Sequence, residues 1–200
     1  GADPEGGAMP PRRTPPREPP GRGAAGGHNV CRADTGKTPP RRGWGVTPST
    51  RRTTGATPIE ADLVPGVRVR HVRLCTQGAG SFDLSTLAIR LGSRADLASF
   101  AMATAPAVSR HQIVLRFAGE SSTAMLAGAA LLNGSQHGDT TLVVDHAVPH
   151  CASRELYKHV LDGEATGVFQ GKIIVQPDAQ KTDGRMMSQA VLLADGAGMN

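Results

Sequence analysis

The chain has 200 residues, a formal net charge of +5 and only six aromatic side chains, four Phe, one Tyr and one Trp. Residues 1–58 carry 10 Lys and Arg against 4 Asp and Glu, whereas residues 59–200 carry 12 against 13, which excludes a uniformly basic globular domain. No apolar run approaches the ~18 residues that span a membrane, no signal-peptide stretch opens the chain, and Cys31, Cys75 and Cys151 form no C-x-x-C pair; a reducing, cytoplasmic setting without disulfides or a zinc knuckle is expected.

The first segment, 1–58, holds 11 of the 15 prolines and reads MPPRRTPPREPP from Met9 to Pro20, with KTPPRRGWG around Trp44. Proline lacks an N–H and restricts the residue before it, and apolar side chains are too few to offset the entropy of ordering the backbone. The expectation is a disordered segment with polyproline-like pieces. Three origins compete. One is a solvated tail. Another is a basic arm in which Arg12, Arg13, Arg41, Arg42, Arg51 and Arg52 contact nucleic-acid phosphates, although Trp44 alone can stack on a base. The third is a non-native, frame-shifted stretch, since GC-rich DNA read in a wrong frame encodes this composition.

From Ile59 onward, short alternating or apolar runs predict strands at 67–74, 87–91, 113–117, 141–145, 172–176 and 190–193. Ser153 to Leu161 fits a capped helical turn or a strand, and strand is favoured by its neighbours. The runs end in turns of Gly or Asp and small residues, such as Leu161-Asp-Gly163 to Ala165, where Gly supplies positive φ. Gly66 to Gly92 is 26 residues and Gly92 to Gly119 is 27. A period in the twenties predicts stacked coils rather than a Greek-key sandwich, and hence an all-β parallel β-helix over 59–200.

His137, Asp139, Asp145, His146, His150 and Cys151 cluster in sequence. In an extended chain His146 and His150 share a face but stand roughly 13 Å apart, Cys151 faces the other way, and Pro149 opposes a chelating helix. These residues are expected at coil corners rather than around a metal. Asp139, Asp145 and Asp162 would be the carboxylates of a β-helical carbohydrate-active enzyme, but carboxylates at turns more often form the turn. Cys151 beside His150 is expected to be buried and inert, as is Cys75. Gly163 to Gly167 with Gly171-Lys172 matches no phosphate loop. Lys172 and Lys181 are expected in solvent, and Arg154 and Glu155 in pairs with each other or a neighbouring coil.

The stretch from His137 to Gln189 carries a resemblance. Asp145-His146 with Pro149-His150-Cys151, Ser153-Arg154, Leu156-Tyr157-Lys158, Gly167-Val-Phe-Gln-Gly171-Lys172 and Gln180-Lys181-Thr182-Asp183 resemble the SufD branch of the SufB/SufD family of iron–sulfur cluster assembly. The resemblance is strongest over 136–193, reaches back to about 59 and does not cover 1–58. It implies a right-handed β-helix core and a non-enzymatic scaffold role in a SufBCD complex. The partners would be a SufB-like subunit and a SufC-like ATPase, not nucleic acid or a membrane. The cluster would be assembled transiently by the whole complex. The family's cluster-interface Cys and His follow a K-P-x-L-E-I segment that would lie beyond Asn200, and Gly184 and Gly198 replace larger residues. No catalytic, cofactor or metal ligand is therefore carried over, and this partial core is expected to aggregate or stay partly unfolded when alone. A β-helical carbohydrate-active enzyme and a basic-arm nucleic-acid-binding protein remain the alternatives.

Overall fold

Alternation at period two determines which side chains reach the core. In the computed structural model, which describes strand 27–34 and residues 55–200 apart from 77 and 79, residues of alternating burial over 68–161 line two facing sheets. Coil one is β2 (Gly55–Leu63) and β3 (Arg68–Cys75), and coil two is β4 (Phe82–Leu91) and β5 (Asp96–Ala103). Coil three is β6 (Val108–Phe117) and β7 (Thr123–Leu132), and coil four is β8 (His137–His146) and β9 (Ala152–Leu161). Coil five is β10 (Thr166–Val175) and β11 (Asp183–Leu192), followed by the short β12 (Gly198–Met199). One sheet runs β1-β3-β5-β7-β9-β11 and the other β12-β10-β8-β6-β4-β2. This is a flattened parallel β-solenoid of about five turns, the all-β architecture expected from the repeat.

Within 1–58, expected to be disordered, two pieces are strand. β1 (Gly27–Asp34), free of proline, pairs antiparallel with β3 and covers that edge. β2 begins at Gly55 and carries Pro58, which a sheet tolerates because β2 is an edge strand. The rest of that segment, including Trp44 and the paired arginines, lies outside the described residues.

The expected strands are present, and Ser153 to Leu161 is strand rather than helix. β5 and β7 had no counterpart in the sequence reading. Their sequences, DLASFAMA and TAMLAGAALL, are built on Ala, Met and Gly, which favour strands weakly. They are held because each pairs along its length with a neighbour on both sides.

The glycine spacing is corrected. Phe82 pairs with Val108, 26 residues on, but Val108 pairs with His137, 29 on, and Ala152 with Asp183, 31 on. The repeating corner position is marked by backbone conformation instead. Gly66, Arg94, Ser121, His150 and Lys181 all have positive φ, between 54° and 73°, at the same point of successive turns. Hydrogen bonds link this column along the solenoid: the N–H of Gly66 donates to Ser93 O at 2.8 Å, that of Arg94 to Glu120 O at 2.9 Å, and that of His150 to Gln180 O at 3.0 Å. Gly119 is needed for a different reason, because a Cβ there would overlap the backbone of Gly92 and Ser93.

The core between the sheets includes Leu87, Leu91, Leu97, Leu115, Phe117, Leu126 and Leu142, all nearly or fully buried. On the outer face of the β3–β11 sheet Val72, Phe100, Met125, Leu131 and Met187 are exposed.

Candidate functional site

Polar residues enter this interior by the same alternation. β3 turns His71, Arg73 and Cys75 inward, β4 turns Asp83 and Ser85, and β6 turns Ser109 and His111. β9 is polar at four successive inward positions, Ser153, Glu155, Tyr157 and His159, and all four are buried.

These groups are organised mainly as pairs. Arg73 and Asp83 form an ion pair buried between the sheets, the two residues 4% and 3% exposed. His71 Nδ1 meets Ser99 Oγ at 2.9 Å, His111 Nδ1 meets Ser85 Oγ at 2.7 Å, and His146 Nε2 meets Ser153 Oγ at 3.0 Å. The first two bind adjacent coils, one pair within each sheet, and the third ties the sheets together. Phe117 stacks on the His146 ring at 4.3 Å. Tyr157 lies against Phe169 at 4.9 Å, and a Cβ on Gly128 would come within 2.5 Å of its ring.

Burial sets the charge states. It lowers His71 to about 4 and, together with the Arg73 charge, His111 to about 3, so both rings are neutral at physiological pH. Burial also lowers His146 and His159 and raises the Glu155 carboxyl and the Tyr157 phenol. Neutral imidazoles held by serine hydroxyls cross-link coils. None of these histidines is set against a carboxylate in the way a general base is.

The residues singled out in sequence are dispersed. His146 is buried at the end of β8, whereas His150 is exposed at the positive-φ corner. They share no face because a turn, not extended chain, separates them. Cys151 is buried with its Sγ 3.5 Å from the carbonyls of Gly119 and Pro149, and burial pushes its thiol up. Asp139 and Asp145 point outward to Arg110 at 3.5 Å and Arg116 at 3.6 Å, pairs that join neighbouring coils. Asp162 caps its own corner by accepting from the Gly163 N–H at 2.9 Å. Arg154 pairs with Asp183 of the next coil rather than with Glu155, which turns inward. Lys172 and Lys181 are exposed. Among the described residues no three His, Cys, Asp or Glu side chains converge to hold a metal, and no helix is long and apolar enough to cross a membrane.

The sequence reading missed His71, Arg73, Asp83, His111 and His159. The signal was the phase of the alternation, since each sits two residues from an inward apolar or serine position in the same strand.

Residues 46–200 match the model of the SUF system FeS cluster assembly SufBD core domain. An iron–sulfur cluster assembly SufBD family protein of Synechocystis is 28% identical over 143 residues, covering 70% of this chain and 31% of the relative. One from Mycobacterium tuberculosis is 29% identical over 146 residues, covering 70% and 37%. The iron–sulfur cluster assembly protein SufD of Escherichia coli is 27% identical over 143 residues, covering 72% and 34%. The chain thus spans about a third of the length of these curated relatives. A D-inositol 3-phosphate glycosyltransferase of Actinosynnema mirum is 49% identical over 59 residues, which is 14% of that enzyme and too small a share to carry an assignment.

Proposed function

Because the chain belongs to the SufBD core family of iron–sulfur cluster assembly proteins, we propose that it serves as a scaffold subunit of a SufBCD-type complex, on the SufD side. It pairs with a SufB-like subunit and works with a SufC-like ATPase, in the cytoplasm. The iron–sulfur cluster is the cargo of the assembled complex rather than a resident cofactor of this chain, and the chain itself is not an enzyme.

The observation that carries this reading is the coincidence of the family match, 46–200, with all five coils of the solenoid. The interior supports it, because the His71–Ser99 and His111–Ser85 pairs cross-link neighbouring coils. Asp139, Asp145 and Asp162 are each held in a separate contact rather than paired as acid and base, which weighs against the carbohydrate-active alternative.

The test is co-expression of the full chain with a SufB-like and a SufC-like protein of one bacterium, followed by affinity capture and size-exclusion chromatography. A complex containing all three chains is expected. Failure of both partners to co-elute would overturn the proposal. Selective pairing with a SufD-like protein in place of the SufB-like one would move the chain to the SufB side.

A further inference from the structure

A cavity of about 30 Å³ lies in the solenoid interior, lined in part by Arg73, Ser109, His111, Tyr157 and His159. These side chains come from β3, β6 and β9, so coils one, three and four all contribute. Ala101 and Gly128 also line it, and the absence of a side chain at Gly128 is what lets the Tyr157 ring lie against that part of the wall.

His111 and His159 are 4% and 3% exposed. His111 Nδ1 is taken by Ser85 Oγ at 2.7 Å, but His111 Nε2 and His159 Nδ1 are buried with no hydrogen-bond partner in the protein. A neutral imidazole carries one donor and one acceptor nitrogen. Whichever tautomer His111 adopts, Nε2 therefore needs a complementary group, and a buried polar atom without one is costly.

The chemistry of the wall selects the guest. The Arg73 guanidinium opposes a cation, and no third metal-ligating side chain joins the two histidines among the described residues. An anion gains little from Arg73, whose charge is met by Asp83. An apolar guest would leave both ring nitrogens unpaired. Water both donates and accepts, and each molecule needs roughly 10–15 Å³ of such space.

We propose that this cavity is a built-in hydration site that holds one or two ordered water molecules, hydrogen-bonded to His111 Nε2 and His159 Nδ1. The water satisfies the ring nitrogens of His111 and His159 that no protein group reaches. The inference is independent of the proposed assembly role.

The test uses crystals of the full chain, with its partners if they are needed for solubility, measured to high resolution before and after xenon pressurisation. One or two solvent peaks are expected at about 2.7–3.2 Å from the two ring nitrogens, as ordered as the surrounding side chains, with no xenon in the cavity. An empty cavity, or one that takes up xenon, would overturn the proposal. So would an anomalous peak at the roughly 2.0–2.2 Å of a metal–nitrogen bond. Oxygen-17 relaxation dispersion on the same protein in solution gives a second reading. It is expected to detect long-lived internal water, and a His111→Phe, His159→Phe double variant that still folds is expected to lose one or two such molecules. An unchanged count in that variant would place the long-lived water elsewhere and refute the site.

Discussion

Arg73 near the end of β3 and Asp83 at the start of β4 form a buried ion pair that joins the two sheets across the passage from coil one to coil two. Neither side chain reaches solvent, so each charge depends on the other. Removing one partner leaves the other buried and unpaired, which costs about 3–5 kcal/mol. Asp83→Ala and Arg73→Ala are each expected to lose stability on that scale. The double replacement Arg73→Met, Asp83→Leu, which removes both charges and keeps volume, is expected to recover most of it. Urea denaturation of the four proteins, read as a double-mutant cycle, checks this.

Acid is expected to weaken the fold through its buried histidines. His71 and His111 have folded-state values of about 4 and about 3 against 6.5 when unfolded. Between those limits the unfolded chain binds more protons, so stability falls as pH drops from about 6.5 towards 4 and is constant above 6.5 as far as these groups are concerned. Each full shift corresponds to roughly 3–5 kcal/mol. Glu155, raised by burial, acts in the opposite sense, favouring the fold below its unfolded value and losing that advantage as pH rises. A pH series of denaturation midpoints should slope downward with acid, less steeply in His71→Gln and more steeply in Glu155→Gln.

The corner column makes a prediction of stabilisation. Arg94, Ser121, His150 and Lys181 hold positive φ without being glycine, a conformation that costs a side-chain-bearing residue on the order of 1 kcal/mol. His150→Gly is expected to gain up to about 1 kcal/mol, less the added chain entropy of glycine. His150→Val is expected to lose more than that, since a β-branched residue fits this region poorly. Thermal melts of the two variants against the parent distinguish the effects, because a functional role for His150 in binding would not order them by backbone preference.

Gly119 tests close approach rather than φ. A methyl group there would overlap the backbone at Gly92 and Ser93 of the preceding coil, and backbone cannot move aside without breaking the Gly119 N–H to Leu91 O bond of 2.9 Å. Gly119→Ala is expected to lower the melting temperature by ten degrees or more, whereas Gly66→Ala, with open space around it but φ of 73°, is expected to cost about 1 kcal/mol. Equal effects at the two sites would contradict the packing described.

Cys151 is expected to resist alkylation. It is buried, and burial holds its thiol above the ordinary range, so little thiolate exists at neutral pH. Peptide mapping after iodoacetamide treatment should find Cys151 unmodified in the native chain and modified in denaturant. Rapid native labelling would show that the corner opens.

Much of the architecture is local information. The alternation of Val69, His71, Arg73 and Cys75, or of Ile113, Leu115 and Phe117, is a property of neighbouring residues, because a strand sends successive side chains to opposite faces. That local pattern, with turn residues at coil-length spacing, determined by itself that this chain is all-β and coiled, and the motifs from Asp145 to Asp183 pointed to the family. Tertiary structure decided the rest. β5 and β7 became strands because ladders on both sides outweigh the weak preference of alanine and methionine. The true repeat, 26 to 32 residues, appeared only in the register, since loops of different length are absorbed at the corners. The polar interior was decided there too. His71, Ser85, Ser99 and His111 lie far apart in sequence in pairs of 26 to 28 residues, and whether a histidine is a ligand, a base or a cross-link depends on the partner the neighbouring coil sets against it.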